Sequence, residues 1–229
     1  MRIVLALVAL APLLLVTDNA DACSCVPRSF AHHAKTEKRV VLARAGKPIK
    51  NGDALKQTFT VLAAFKGPGG TFTLDRRATP PCKADYAENE FAILFTSDDQ
   101  LDPCHGNLPI ISVAADLPAI LAATNTKTKD AGAPVVDVAL RELTRYLHDR
   151  PQIAVRYAPL AGQSITIDKS KLTFAKTAAP RDLTITTALA GDAVAFVKGT
   201  YGVEGVRFVV VLYLDGKTWR VAHASVVET

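Results

Sequence analysis

Ala20-Asp21-Ala22-Cys23-Ser24-Cys25-Val26-Pro27 is the stretch on which the reading of this chain turns. Upstream, Arg2 supplies a positive start and residues 3–16 an unbroken apolar run, while Ala20 and Ala22 supply the small residues of a processing site. The apolar run of about 14 residues is shorter than the roughly 20 that a bilayer-spanning helix needs. Residues 1–22 therefore read as a signal peptide, and Cys23 as the first residue of an exported protein, secreted or periplasmic, with a free α-amino group. A lipid anchor fits less well, because the lipobox places expected to hold a bulky aliphatic and a small residue hold Ala20 and Asp21.

Working outward, Cys23 and Cys25 are half of the cysteines; Cys82 and Cys104 complete the set, all in the first half of the chain. An even number in an exported chain argues for disulfides rather than thiols or zinc ligands. A direct Cys23–Cys25 bridge would strain a three-residue loop, so each is expected to reach a distant partner. A long-loop bridge contributes about 3–4 kcal/mol through the unfolded state.

Residues 29–38 read as a short helix capped by Ser29, with Phe30, Ala31 and Ala34 as its buried stripe. His32 and His33 point about 100° apart on such a helix and do not converge on one metal, so both are expected to be solvated. Strands follow at 40–45, 58–65, 71–74 and 90–95, with Asn51-Gly52 marking a turn. The glycine-rich stretch 66–70 lacks the Lys-Ser/Thr of a phosphate cradle and reads as a hairpin turn. A short edge strand is expected over 107–113. Five strands, an early helix and two disulfides in about 90 residues suggest a small closed barrel.

A chain that begins Cys-Ser-Cys-Val-Pro and continues into a helix resembles the N-terminal domain of the tissue inhibitors of metalloproteinases, and its short bacterial relatives most of all. The strand ending Ala64-Phe65-Lys66-Gly67, the loop cysteine Cys82, the Phe91-Ala92-Ile93-Leu94-Phe95 strand and Cys104 follow that family's order. The resemblance covers residues 23–113 and implies a five-stranded OB-fold barrel with the disulfides Cys23–Cys82 and Cys25–Cys104. It also implies an inhibitory mode in which the α-amino nitrogen and carbonyl oxygen of Cys23 grip the zinc of a target metalloprotease. Ser24 would enter the adjoining pocket, with Cys25, Val26 and Pro27 extending the contact ridge and Thr79, Pro80 and Pro81 contributing from the loop. An α-amino pKa of about 7.7–8.0 leaves a usable neutral fraction at pH 7. The chain departs from the animal proteins in lacking a third disulfide and in the short segment between Val41 and Thr58.

The second half changes character. A short helix is expected at 115–123 and a polar linker at 125–133. Pro134 then opens a helix whose Val135, Val136, Ala139, Leu140, Leu143, Tyr146 and Leu147 fall on one stripe. Strands are expected at 153–157, 164–167, 172–175, 183–189, 193–201, 206–213 and 219–226, the last four an antiparallel meander. The closing Gly216-Lys217-Thr218-Trp219-Arg220-Val221-Ala222-His223 is similar to the last strands of the ketosteroid-isomerase-like fold. Isomerase chemistry needs a general base in an apolar pocket, but Asp168, Asp182, Asp192, Glu204 and Asp215 fall at turns. His223 sits on a strand and faces one of two ways, and Trp219 reads as core.

The expected fold is mainly β, of the α+β class: an OB-fold barrel at 23–113, a linker with a short helix at 114–132, and a helix on a meander at 133–229. No nucleophile elbow, zinc-protease helix motif or paired-carboxylate signature is present, so no enzyme activity is expected, and neither a cofactor nor an intrinsic metal. The net charge of +5 is spread over Arg39, Lys47, Lys66, Arg76, Arg77, Lys127, Lys129 and Arg181, with few aromatics among them. That scatter argues against a nucleic-acid partner, which wants a clustered basic face. No stretch after the leader has the length for stable membrane insertion. The expected function is binding of another protein, a zinc metalloprotease in the sharp form. The alternative is a small-molecule-binding or isomerase-like domain at 133–229.

Overall fold

The structure, a computed structural model, describes residues 28–51, 54–76, 86–98, 100–101, 104, 106–146, 154–167, 170–177, 183–202 and 206–227. The fold is mainly β, as expected, and is built on two sheets. The expected leader, residues 1–22, lies outside the described residues.

The first half opens with α1 (Phe30–Thr36), followed by β1 (Arg39–Asn51), β2 (Ala54–Lys66), β3 (Thr71–Arg76), β4 (Phe91–Thr96), β5 (Gln100–Leu101) and β6 (Leu108–Pro109). The spatial order β5-β3-β2-β1-β4-β6 places β4 beside β1 after a long connection, which is the Greek-key arrangement. β5 pairs in parallel with β3, and every other ladder of this sheet is antiparallel. Among the described residues no ladder joins β5 to β4 or β6, so the sheet runs as an open path rather than the closed barrel expected.

The described residues between Val41 and Thr58 are all strand: β1 and β2 stay paired out to Asn51 and Ala54. A register shift lies between Ala45 and Pro48, and the fully buried Gln57 spans it. Its Nε2 donates to the Gly46 carbonyl at 2.8 Å and to the Tyr86 carbonyl at 3.1 Å. The carbonyl of Gly46 in the irregular strand and that of Tyr86 in the loop before β4 are thereby satisfied, as buried polar groups require.

The strand expected over 107–113 stops at Pro109, and α2 (Ile110–Val113) begins there. Pro109 has no N–H for the next ladder bond, and its φ of −51° suits entry to a helix. After a single tight turn comes α3 (Leu117–Ala123), the short helix expected near 115–123.

The second half contains β7 (Lys129–Asp130), α4 (Ala133–Thr144), β8 (Val155–Arg156), β9 (Ser164–Ile167), β10 (Ser170–Ala175), β11 (Leu183–Ala190), β12 (Val194–Tyr201), β13 (Val206–Asp215) and β14 (Thr218–Val227). β11 to β14 form the expected meander, continued on the far side of β11 by β8, β10 and β9. α4 buries Val135, Val136, Ala139, Leu140 and Leu143 against it, while Tyr146 is 48% exposed. Gly199 in β12 is required by a close approach: a Cβ there would lie 2.0 Å from the Thr184 carbonyl oxygen and 2.5 Å from the Phe208 ring.

β12 and β13 are buried on both faces. Ala195, Val197, Phe208, Val210 and Leu212 pack with α4, and Val194, Phe196, Val211 and Tyr213 turn to the opposite side. There they join Leu117, Ile120 and Leu121 of α3 and Val40, Leu42, Ile93 and Phe95 of the first sheet in one cluster. Residues 114–132, expected to link two domains, thus supply part of a core that both sheets share. A second face of the first sheet encloses Val41, Ala43, Phe59, Leu74, Leu94 and Leu101 within the curl.

Candidate functional site

The site that the sequence points to hangs on the N-terminal end of α1. Cys23, Ser24, Cys25, Val26, Pro27, Thr79, Pro80, Pro81 and Cys82 lie outside the described residues. Cys104 is described and is disulfide-bonded, and its partner lies outside them. What the structure describes is α1, the element that follows residues 23–27 in the chain, and its surroundings.

Those surroundings are assembled from single polar contacts. Ser29 caps α1 by accepting from the His32 backbone N–H at 3.2 Å. At the other end Lys66 Nζ donates to the carbonyls of Lys35 at 2.7 Å and Ala34 at 3.4 Å, satisfying two orphan acceptors at the negative pole of the helix. The Ser97 hydroxyl donates to Glu37 at 2.6 Å and accepts from the Lys38 N–H at 3.0 Å. The loop carrying Cys104 is pinned by the fully buried Asn107, whose Oδ1 accepts from the Phe95 N–H at 2.7 Å.

His33 corrects one expectation. Only His32 is solvated, with its Nε2 3.1 Å from Arg28 Nη1; His33 is buried. Its ring lies 6.0 Å from that of Phe95, and Phe30 stacks on the same ring at 6.1 Å. Gly106 closes over the pair with φ +82°, and a Cβ there would lie 3.1 Å from the His33 ring and 3.3 Å from Phe30. The buried stripe of α1 is therefore Phe30, His33 and Ala34. An imidazole is flat enough to lie under a glycine loop, a fit that the spacing of apolar residues does not disclose.

Away from α1, the β1–β2 hairpin carries Ile49, 59% exposed, with the exposed Lys47 and Lys50 beside it. Among the described residues no cluster of His, Cys, Asp or Glu is arranged to hold a metal, and no helix is long and apolar enough to cross a membrane.

In the second half the space between α4 and the meander is filled by apolar side chains. His223 pairs across from Val211 and faces the shared core, on the other side of the sheet from α4. A register shift at Val211/Leu212 leaves Ala222 as the extra residue and sets this orientation. Burial lowers the His223 pKa, and its Nε2 is buried with no hydrogen-bond partner. Asp215 forms an exposed ion pair with Arg220 at 2.6 Å, Asp192 is exposed, and Asp168, Asp182 and Glu204 lie outside the described residues.

The sequence reading overlooked Tyr157. Its hydroxyl donates to the Ala131 carbonyl at 3.1 Å and lies 3.3 Å from that of Ala188, tying the strand before α4 to β11. Burial, reinforced by the negative charge of Asp130, raises its pKa. Trp219, expected as core, is partly buried and packs against the core of this half, and it also lines a cleft. No protein-family model matches this chain, and no curated protein matches it.

Proposed function

We propose that this chain is an exported, non-enzymatic protein-binding protein whose first sheet is an OB-fold barrel and whose processed N-terminus inhibits a zinc metalloprotease. In this reading the neutral α-amino nitrogen and the carbonyl oxygen of Cys23 occupy the target's zinc, and Ser24 enters the neighbouring pocket. The OB assignment draws support from the Greek-key order of β1 to β4 and the return of β5 to β3, since an OB fold is a partly open Greek-key barrel of five strands. The observation that carries the inhibitory reading is the construction of the α1 base. Arg28 adjoins a helix that is capped at both ends and over which Gly106, beside the disulfide-bonded Cys104, closes. A ligand presented from a rigid base loses less conformational entropy on binding than one on a free tail.

The test is inhibition of a panel of zinc metalloproteases by the mature protein, by a form retaining one alanine before Cys23, and by Ser24→Arg. Mass analysis fixes the N-terminus and the disulfide state of each. Both variants should inhibit roughly 30-fold or more less well, the loss expected of a hot-spot contact worth about 2 kcal/mol. Undiminished inhibition by the extended form overturns chelation through Cys23.

A further inference from the structure

Where the connection between the halves meets the second sheet, a cleft of about 530 Å³ opens. That volume falls within the roughly 300–1,000 Å³ typical of small-molecule sites. Residues 127–129 line it, and their close approach to β11 is fixed by Gly191: a Cβ there would lie 3.2 Å from the Lys127 carbonyl oxygen. Pro134, Val135 and Trp219 of β14 also line it. Lys127 and Lys129 both line the cleft, are exposed, and make no ion pair among the described residues. Asp192 at the rim is the one acid on the lining.

These groups dictate a chemistry. An indole beside apolar side chains suits a flat ring. Two unpaired ammonium groups on the same lining call for an anion on that ring. We infer that this cleft is a binding site for small aromatic carboxylates, with the ring laid against Trp219 and the carboxylate directed to Lys127 and Lys129. None of the residues lining the site belongs to α1, and the assignment stands independently of the inhibitory reading.

Trp219 is the only tryptophan in the chain, so its emission reports on this cleft alone. The experiment is titration of the mature protein with 2-naphthoate, followed by calorimetry and by Trp219 emission, with uncharged 2-naphthylmethanol as control. Naphthoate should bind saturably and perturb the emission, and the alcohol should bind more weakly. The double variant Lys127→Gln/Lys129→Gln, which alters two exposed side chains, should weaken naphthoate about tenfold, as loss of two partly screened charge contacts implies. Asp192→Asn should tighten it. Absence of saturable binding, equal binding of the alcohol, or an unchanged affinity in the double lysine variant each overturns the assignment.

Discussion

α1 and α4 each lie on a sheet, and they are held by opposite means. α4 presents five buried aliphatic residues along one stripe, and its attachment is a sum of many interchangeable contacts. α1 has seven residues and buries two, and single polar groups secure it: Ser29, Lys66, the Glu37–Ser97 pair and the Asn107 loop. Where attachment is distributed, loss of one side chain weakens the whole molecule. Where it is itemised, loss of one group opens one place, and the place it opens is the base of the proposed inhibitory N-terminus.

The largest effect that separates the two modes is expected at Leu140. Leu140→Ala should cost about 3 kcal/mol of global stability, the usual range for a buried leucine being roughly 2–5 kcal/mol. Urea unfolding should show it as a lower midpoint with the whole transition shifted together. Gly106→Ala forces a side chain into a positive φ and against His33, and should cost about 1–2 kcal/mol. Hydrogen exchange should show that loss concentrated in α1 and β4; if α4 amides open equally, the contrast between the helices fails. Lys66→Met keeps the aliphatic stem but removes both bonds to the end of α1, and should cost about 0.5 kcal/mol. Faster exchange confined to residues 34–37 would confirm it.

The smallest effect is a pH slope. Burial lowers the His223 pKa in the folded state, so between that value and the unfolded value of about 6.5 the unfolded chain binds the extra proton. The associated stability is complete above the unfolded value and declines as the pH falls through this window. His223→Leu should flatten the melting temperature against pH below that point; an unchanged slope would mean that other groups set it.

How much of this was readable follows the same division. α4 and the meander were legible because aliphatic periodicity and turn residues state their own structure, and β11 to β14 fall within a residue or two of expectation. The two-sided burial of β12 and β13 was also written in the chain, as the unbroken runs Val194-Ala195-Phe196-Val197 and Phe208-Val209-Val210-Val211-Leu212. Those runs signal a strand covered on both faces and yet do not say what covers it. The burial of His33 depends on a glycine more than 70 positions away, and no local pattern carries such a pairing. The direction of His223 hangs on one extra residue in a ladder, which reverses alternation without leaving a mark in composition. The residues named for the inhibitory site lie outside the described residues, and the packing of α1 beside them was not legible in the chain.

The cluster shared by the two sheets bears on how this chain can be handled in pieces. Thr124 to Thr128 look like a natural place to sever it. Cutting there leaves Leu117, Ile120 and Leu121 bare on the first fragment and Val194, Phe196, Val211 and Tyr213 bare on the second. Neither piece is then a finished object. The two are expected to be insoluble apart and to recover their shape when mixed, so a nicked chain should behave as a complementing pair rather than as two independent modules.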